Sequence, residues 1–270
     1  MPYIFQSVYF DRRVVPGRIL DIFMPEKTTR ETAVFFVHGG GWRGGSRMLY
    51  HKLMEAFNKE GFICAATDYR LEYVNIFDQI TDVRHGYDIF REILAGQGLT
   101  QKIFVHGSSA GGHLAALLAM TLPGECGEET AFGDYALKDK WIRPAGASLQ
   151  AAPVTFEPWE DIFPMIWQSM QDIIGAPYEK QPDLYRRVSP INYLSKQTPP
   201  LFLLGAENEE MFPLEYNLDF IEKAESFGCR VDYKVYNRAE HGFFYDVTRR
   251  QQKEAFADII AFIESLSPSS

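Results

Sequence analysis

KIFVHGSSAGGHLAALLAMTL, residues 102–122, decides the fold. Its first six residues, 102–107, are an apolar run of strand character, and they pass without a linker into a helical pattern over 108–122. At the junction stands Gly107-x-Ser109-x-Gly111. A serine there sits on a very tight strand-to-helix turn, its hydroxyl projecting from the end of the sheet. Side chains two residues to either side would collide in such a turn. Gly107 and Gly111 avoid the collision, and Ala110 and Gly112 keep the helix start uncluttered. The N-terminus of the helix favours negative charge developing nearby. A Gly/Ser turn with an N-cap serine gives the same letters. The position between an apolar strand and an amphipathic helix is what makes this one specific. Ser108 is a rival nucleophile, but it lacks flanking glycines at the right offset.

Outward from the elbow, strands and helices alternate. Strand-like runs fall at 3–10 and 17–25, with Pro16-Gly17 as the turn between them, and then at 33–39, 62–70, 102–107, 145–153, 199–207 and 229–237. Helical patterns cover 47–61, with Leu49, Leu53, Met54 and Phe57 on one face, and 77–95, 108–122, 213–227 and 250–265. The expected fold class is therefore α/β, a mostly parallel, doubly wound sheet of about eight strands with helices on both faces. No composition shift splits the chain, so residues 1–270 are expected to form one domain. The tail SLSPSS is expected to fray. Residues 153–195 form an irregular insert interrupted by prolines. Phe156, Trp159, Phe163 and Trp167 recur there at helical spacing, although Pro158 and Pro164 argue against one continuous helix. The insert is read equally as a loop over the core and as a lid or pocket wall.

A serine nucleophile needs a base, an orienting acid and donors for the oxyanion. HGGGW, residues 38–42, follows the first long apolar strand, and its glycines let the backbone approach a ligand closely. The N–H groups of Gly40, Gly41 and Ala110 are the candidate donors. The same loop also matches a dinucleotide fingerprint, Gly39-x-Gly41-x-x-Gly44, with Asp68 ending the next strand. Two strands precede it, however, and Arg43, Gly45 and Ser46 make a poor start for a helix packed on the sheet. Of the six histidines, His38 belongs to the glycine loop, His106 to the elbow strand, and His51, His85 and His113 to helical patterns. His241 alone lies in a loop after a late strand, with Gly242 beside it, in the chain order nucleophile–acid–histidine. The acid is expected from the loop AENEEMFP, where Glu207, Glu209 and Glu210 are candidates. Counting back four from Pro213 selects Glu209. Glutamates are favoured at a helix N-terminus in any case, so the other two stay open.

Composition bounds the partners. The chain has 270 residues with 46% hydrophobic, 14% aromatic and 23% charged residues and a net charge of −9. That is globular composition, and the acidic balance argues against nucleic acid or an anionic membrane as the main partner. Cys64, Cys126 and Cys229 are odd in number and far apart, so neither a disulfide framework nor a structural zinc site is expected. No secretory signal and no run of spanning length is visible. A soluble, cytoplasmic protein is expected.

The chain resembles the α/β-hydrolase superfamily, and within it the small esterases of the hormone-sensitive-lipase branch and the BD-FAE-like acetyl-esterase group. HGGGW, DYRL (68–71), HGSSAGGHLAA, SPINYLSKQTPPLFLL (189–204) and EHGFF (240–244) carry the resemblance, in family order. It implies an α/β-hydrolase fold with Ser109 as nucleophile and His241 as base, and it places Glu209 where the family usually has Asp. Ser108 stands where the family often has another Asp. Asp68, Arg70 and Asp82 look like the family's structural polar residues beneath the glycine loop. The implied activity is a serine carboxylesterase acting on small, short-chain esters, acetyl esters above all, with no cofactor or metal. Trp42, Met211, Phe212 and Phe243 flank the motifs and are expected near the substrate pocket. The long N-terminal cap of many lipase-like relatives has no counterpart in these residues, which leaves 153–195 as the candidate lid. An arylformamidase and a non-catalytic binding module on the same fold are the alternatives, and a homodimer is compatible with either.

Overall fold

The apolar runs become the strands of one sheet. A computed structural model describes residues 3–9, 17–132, 135–137, 141–212 and 214–266. The predicted turn at Pro16 and the predicted fraying of Ser267–Ser270 lie outside these residues. The strands are β1 (Tyr3–Tyr9), β2 (Ile19–Pro25), β3 (Ala33–Val37), β4 (Cys64–Thr67), β5 (Ile103–Ser108), β6 (Gly146–Gln150), β7 (Leu201–Asn208) and β8 (Val231–Glu240), in the order β1-β2-β4-β3-β5-β6-β7-β8. β1 and β2 run antiparallel to their neighbours, and the other pairings are parallel. A separate two-residue ladder joins 131–132 to 135–136.

Parallel strands need crossover connections, and the helices supply them. They are α1 (His51–Lys59), α2 (Ile76–Gly96), α3 (Ala110–Met120), α4 (Pro164–Ile174), α5 (Pro182–Arg187), α6 (Leu214–Ser226) and α7 (Arg250–Ser265). The period-2 alternation of β3 shows how the sheet is covered on both sides. Phe35 and Val37 face a cluster with residues of α2, α3, α6 and the insert, while Val34 and Phe36 face a second cluster with α1 and α7. A strand covered on both faces must be apolar throughout, which is why 33–37 reads as an unbroken run.

Two readings of the helices change. All eleven residues of α3 are buried, so the helix behind the elbow is apolar all round rather than amphipathic. It is wedged between the sheet and α2. In 47–61 the first turn is a 3₁₀ turn, Arg47–Tyr50, ahead of α1. The tighter winding rotates Leu49 outward, 45% exposed, and turns Tyr50 into the core with Leu53, Met54 and Phe57.

The insert is packed. Phe156, Met170, Ile173, Ile174, Tyr185 and Val188 are buried in the same cluster as α2 and α3. Pro164 takes the first position of α4, where its missing N–H costs nothing, and Gly175 ends that helix at φ +81°. Phe156 and Trp159 precede α4 and Phe163 caps it, so only Trp167 of the four aromatics lies within the helix.

Candidate active site

The elbow is where the sequence reading placed it, and the glycines are forced by contact. Ser109 has φ 53° and ψ −124°, a strained conformation for a residue with a side chain. A Cβ on Gly107 would stand 2.3 Å from the Gly111 carbonyl oxygen, and one on Gly111 would stand 2.1 Å from that of Val37. The Ser109 N–H donates to the Gln150 carbonyl at 2.8 Å, tying the turn to the end of β6.

Three side chains from three loops converge. The Ser109 hydroxyl donates to His241 Nε2 at 2.9 Å. His241 Nδ1 lies 3.0 and 2.9 Å from the two carboxylate oxygens of Glu209. An ionised carboxylate only accepts, so Nδ1 carries the ring proton and Nε2 is left to accept from the serine. The Glu209 side chain is almost fully buried, 3% exposed. Its Oε1 also accepts from the N–H groups of Met211 and Phe212, at 2.9 and 3.3 Å, which locks the carboxylate in place. The other two acidic candidates go elsewhere. Glu207 accepts from the Arg238 N–H at 2.7 Å, and both Glu207 and Glu210 are exposed.

The glycine loop lies against the elbow. A Cβ on Gly39 would meet the Ser108 carbonyl oxygen at 2.6 Å and the Tyr245 hydroxyl at 2.9 Å. Gly40 and Gly41 have φ +129° and +59°. The Gly40 carbonyl turns back to accept from Arg43 and Gly44. Among the described residues no acceptor is engaged by the N–H groups of Gly40, Gly41 or Ala110. The loop is held from behind. Tyr69 donates to the His38 carbonyl at 2.8 Å, and the Gln79 amide to that of Trp42 at 2.7 Å. Asp68 accepts from the Arg47 main chain and guanidinium at 2.6 and 2.5 Å. Arg18 and Arg70 both bind Asp82. Burial raises the Asp82 pKa, and the two guanidiniums oppose that. No helix starts at Gly44, and Asp68 is occupied by Arg47, so the dinucleotide reading of this loop finds no phosphate-binding helix.

Of the four residues expected at the pocket, Phe212 lines one. A narrow recess is walled by Ala152, Pro153, Val154, Trp159, Phe212 and Tyr216, among others. Phe212 also packs on the His241 ring, centroid to centroid 5.8 Å, so the recess adjoins the triad. Met211 is half-buried and contributes its N–H to Glu209. Trp42 and Phe243 are corrections. Trp42 is 1% exposed, its indole N–H donates to His113 Nδ1 at 3.3 Å, and its ring packs on Phe156. Phe243 is 2% exposed and packs on Tyr236 in the cluster on the opposite face of the sheet. An aromatic beside a motif can turn to either side of the sheet, and both of these turn into core. His113 in turn donates from Nε2 to the Val188 carbonyl at 2.6 Å, and burial pushes its pKa down to about 4.

Sequence reasoning missed Tyr245, whose hydroxyl accepts from the Gly39 N–H at 3.2 Å, and Gln150. The signal for Gln150 was available, since an amide ending the buried strand GASLQ must find buried partners. Among the described residues no group of three or more His, Cys, Asp or Glu is arranged to hold a metal ion. No described helix is long and apolar enough to cross a membrane.

Comparison with known proteins gives a consistent picture. The family model described as BD-FAE matches residues 20–223, about three quarters of the chain. Esterase LipQ of Mycobacterium tuberculosis is 27% identical over 87% of this chain, and Esterase LipC of the same organism is 24% identical over 84%. The chain spans 56% and 57% of those proteins' own lengths. Among solved structures, the propionate-bound esterase Est2 of Thermogutta terrifontis superposes with a TM-score of 0.75 at 23% identity, covering 98% of this chain and 96% of that one. The likeness carries the α/β-hydrolase fold.

Proposed function

The chain belongs to the BD-FAE family, and from that membership and its site geometry we propose a serine carboxylesterase that hydrolyses short-chain esters, acetyl esters in particular, through an acyl-enzyme on Ser109. The observation that carries the reading is the unbroken relay from Ser109 Oγ through the His241 ring to Glu209, with contacts of 2.9–3.0 Å.

The chemistry follows from the groups in place. The Ser109 oxygen attacks the ester carbonyl carbon while His241 Nε2 takes its proton. Glu209 holds the imidazole in the tautomer that leaves Nε2 free to accept, and it stabilises the imidazolium that forms. The carbonyl oxygen becomes an oxyanion, for which the N–H groups of Gly40 and Gly41 in the glycine loop and of Ala110 at the start of α3 are the donors. As the tetrahedral species collapses, His241 returns the proton to the departing alcohol. Water then repeats the sequence on the acyl-enzyme, releasing the acid and restoring Ser109. The narrowness of the recess walled by Trp159, Phe212 and Tyr216 supports short acyl groups.

The test is hydrolysis of p-nitrophenyl acetate with Ser109→Ala beside the parent. Removing the nucleophile of such a triad lowers kcat by about 10⁶-fold in the best-studied case. A fall of that order, with labelling of Ser109 by a fluorophosphonate probe, is expected. Undiminished turnover by Ser109→Ala would overturn the assignment.

A further inference from the structure

Gln150 closes β6 and is fully buried. Its surroundings set the orientation of its amide. The N–H groups of Gly242 and Phe243 face one end at 3.0 and 2.8 Å, and the Ser108 hydroxyl faces the other at 3.1 Å. The oxygen therefore accepts from both backbone amides, and the nitrogen donates to Ser108. The Phe244 N–H lies 3.4 Å from the nitrogen end, too far to outweigh two shorter contacts. The main-chain carbonyl of Gln150 accepts from the Ser109 N–H. One residue thus grips the elbow at 108 and 109 and the two amides that follow His241.

Those two amides need this acceptor. The β7–β8 register breaks between Tyr236 and Glu240, and the chain then turns at Gly242 with φ +68°. Past that point the backbone leaves the sheet, and no strand neighbour takes its N–H groups. We propose that Gln150 is the positioning residue of the histidine loop, fixing His241 between Ser109 and Glu209. Its kinetic consequence rests on the esterase reading above. Its structural consequence does not.

The experiment pairs Gln150→Leu with Gln150→Glu. Leucine leaves both amides without an acceptor. Glutamate keeps an oxygen for them and accepts from the Ser108 hydroxyl with the other. Misplacing a catalytic group by about 1 Å costs about a hundredfold, so Gln150→Leu is expected to lower kcat on p-nitrophenyl acetate about 10- to 100-fold with KM nearly unchanged. Gln150→Glu should keep kcat within about threefold of the parent, since it retains the bonds that hold the loop. NMR gives a readout independent of turnover. In Gln150→Leu the Gly242 and Phe243 amides should exchange faster. If Gln150→Leu does not fold, Ser108→Ala removes one partner only, and a kcat loss of about three- to tenfold at unchanged KM is expected. Parent-like kcat and parent-like exchange of the Gly242 and Phe243 amides in Gln150→Leu would overturn the proposal, as would equal impairment by Gln150→Glu or an unaffected Ser108→Ala. If the parent hydrolyses no ester, the esterase reading falls and the NMR comparison still decides the role of Gln150.

Discussion

At the scale of single residues, the acid distinguishes geometry from counting. Glu207 lies at the end of β7 and Glu209 and Glu210 in the loop after it, and only Glu209 is turned inward, against His241 and against two N–H groups of its own turn. Glu209→Gln should therefore lower kcat by about 10³- to 10⁴-fold with little change in KM, because an amide does not fix the productive tautomer. Glu207→Gln and Glu210→Gln should stay within about twofold, as changes at exposed positions outside the site. Initial rates on p-nitrophenyl acetate across the three variants check this, and a comparable loss in either of the last two would move the acid. The elbow was legible in the sequence because contact dictates it: nothing larger than glycine fits at 107 or 111. In the glycine loop contact likewise excludes a side chain at Gly39 and Gly40, while Gly41 has open space and is set apart by its φ of +59°. The facing of Trp42 and Phe243 was not, since a single aromatic carries no period to say which side of the sheet it takes. Gln150 was hidden by its company, one amide in a run read for its apolar neighbours.

At the scale of elements, the insert is packed into the core beside α2 and α3. Its prolines broke the helical pattern that four aromatics suggested, and its packing depends on partners far away in sequence, so the letters left it ambiguous. Phe156 is buried against Trp42 and His113, linking the insert to the glycine loop and to α3. Phe156→Ala should cost about 3–5 kcal/mol, the usual range for a buried phenylalanine, read as a lower urea midpoint at unchanged slope. Trp159 is different. It is half-buried and packs on Tyr216 and Phe212 at the recess, with centroids 5.1 and 6.2 Å apart. Trp159→Ala should deepen the recess at modest cost in stability. One or two further methylenes in an apolar pocket are worth about 10- to 200-fold in discrimination. The ratio of kcat/KM for hexanoate to acetate esters should therefore rise at least tenfold. An unchanged chain-length profile would place the acyl group elsewhere.

At the scale of the whole molecule, the interior holds imidazoles that burial keeps neutral. His106, within β5 beside Ser148, has its pKa pushed down to about 3 by burial, and His113 to about 4 by burial against the opposing Val188 carbonyl. Burial also lowers His38 in the glycine loop. In the unfolded chain each titrates near 6.5, so as pH falls below that value the unfolded state takes up protons that the folded state refuses. The sign is a loss of stability with acid, about 1.4 kcal/mol per pH unit for each such group. His106 and His113 together set a slope of about 3 kcal/mol per unit between roughly pH 6 and 4, steep beside a total stability of about 5–15 kcal/mol. The carboxylates do not mimic this. Burial is the largest single effect on Asp21 and raises its pKa, but His51, Ser7 and Arg47 together hold it below its usual value, so it costs stability only at still lower pH. Asp82, raised by burial, works in the opposite sense at the acid end of the window. Urea unfolding at pH 7, 6, 5 and 4 should show the steep fall, and His113→Asn should be less stable at pH 7 but lose stability with acid more gently. The same pH slope in the variant as in the parent would mean that His113 takes up its proton in the folded protein as readily as in the unfolded one, and that the seal over α3 admits water.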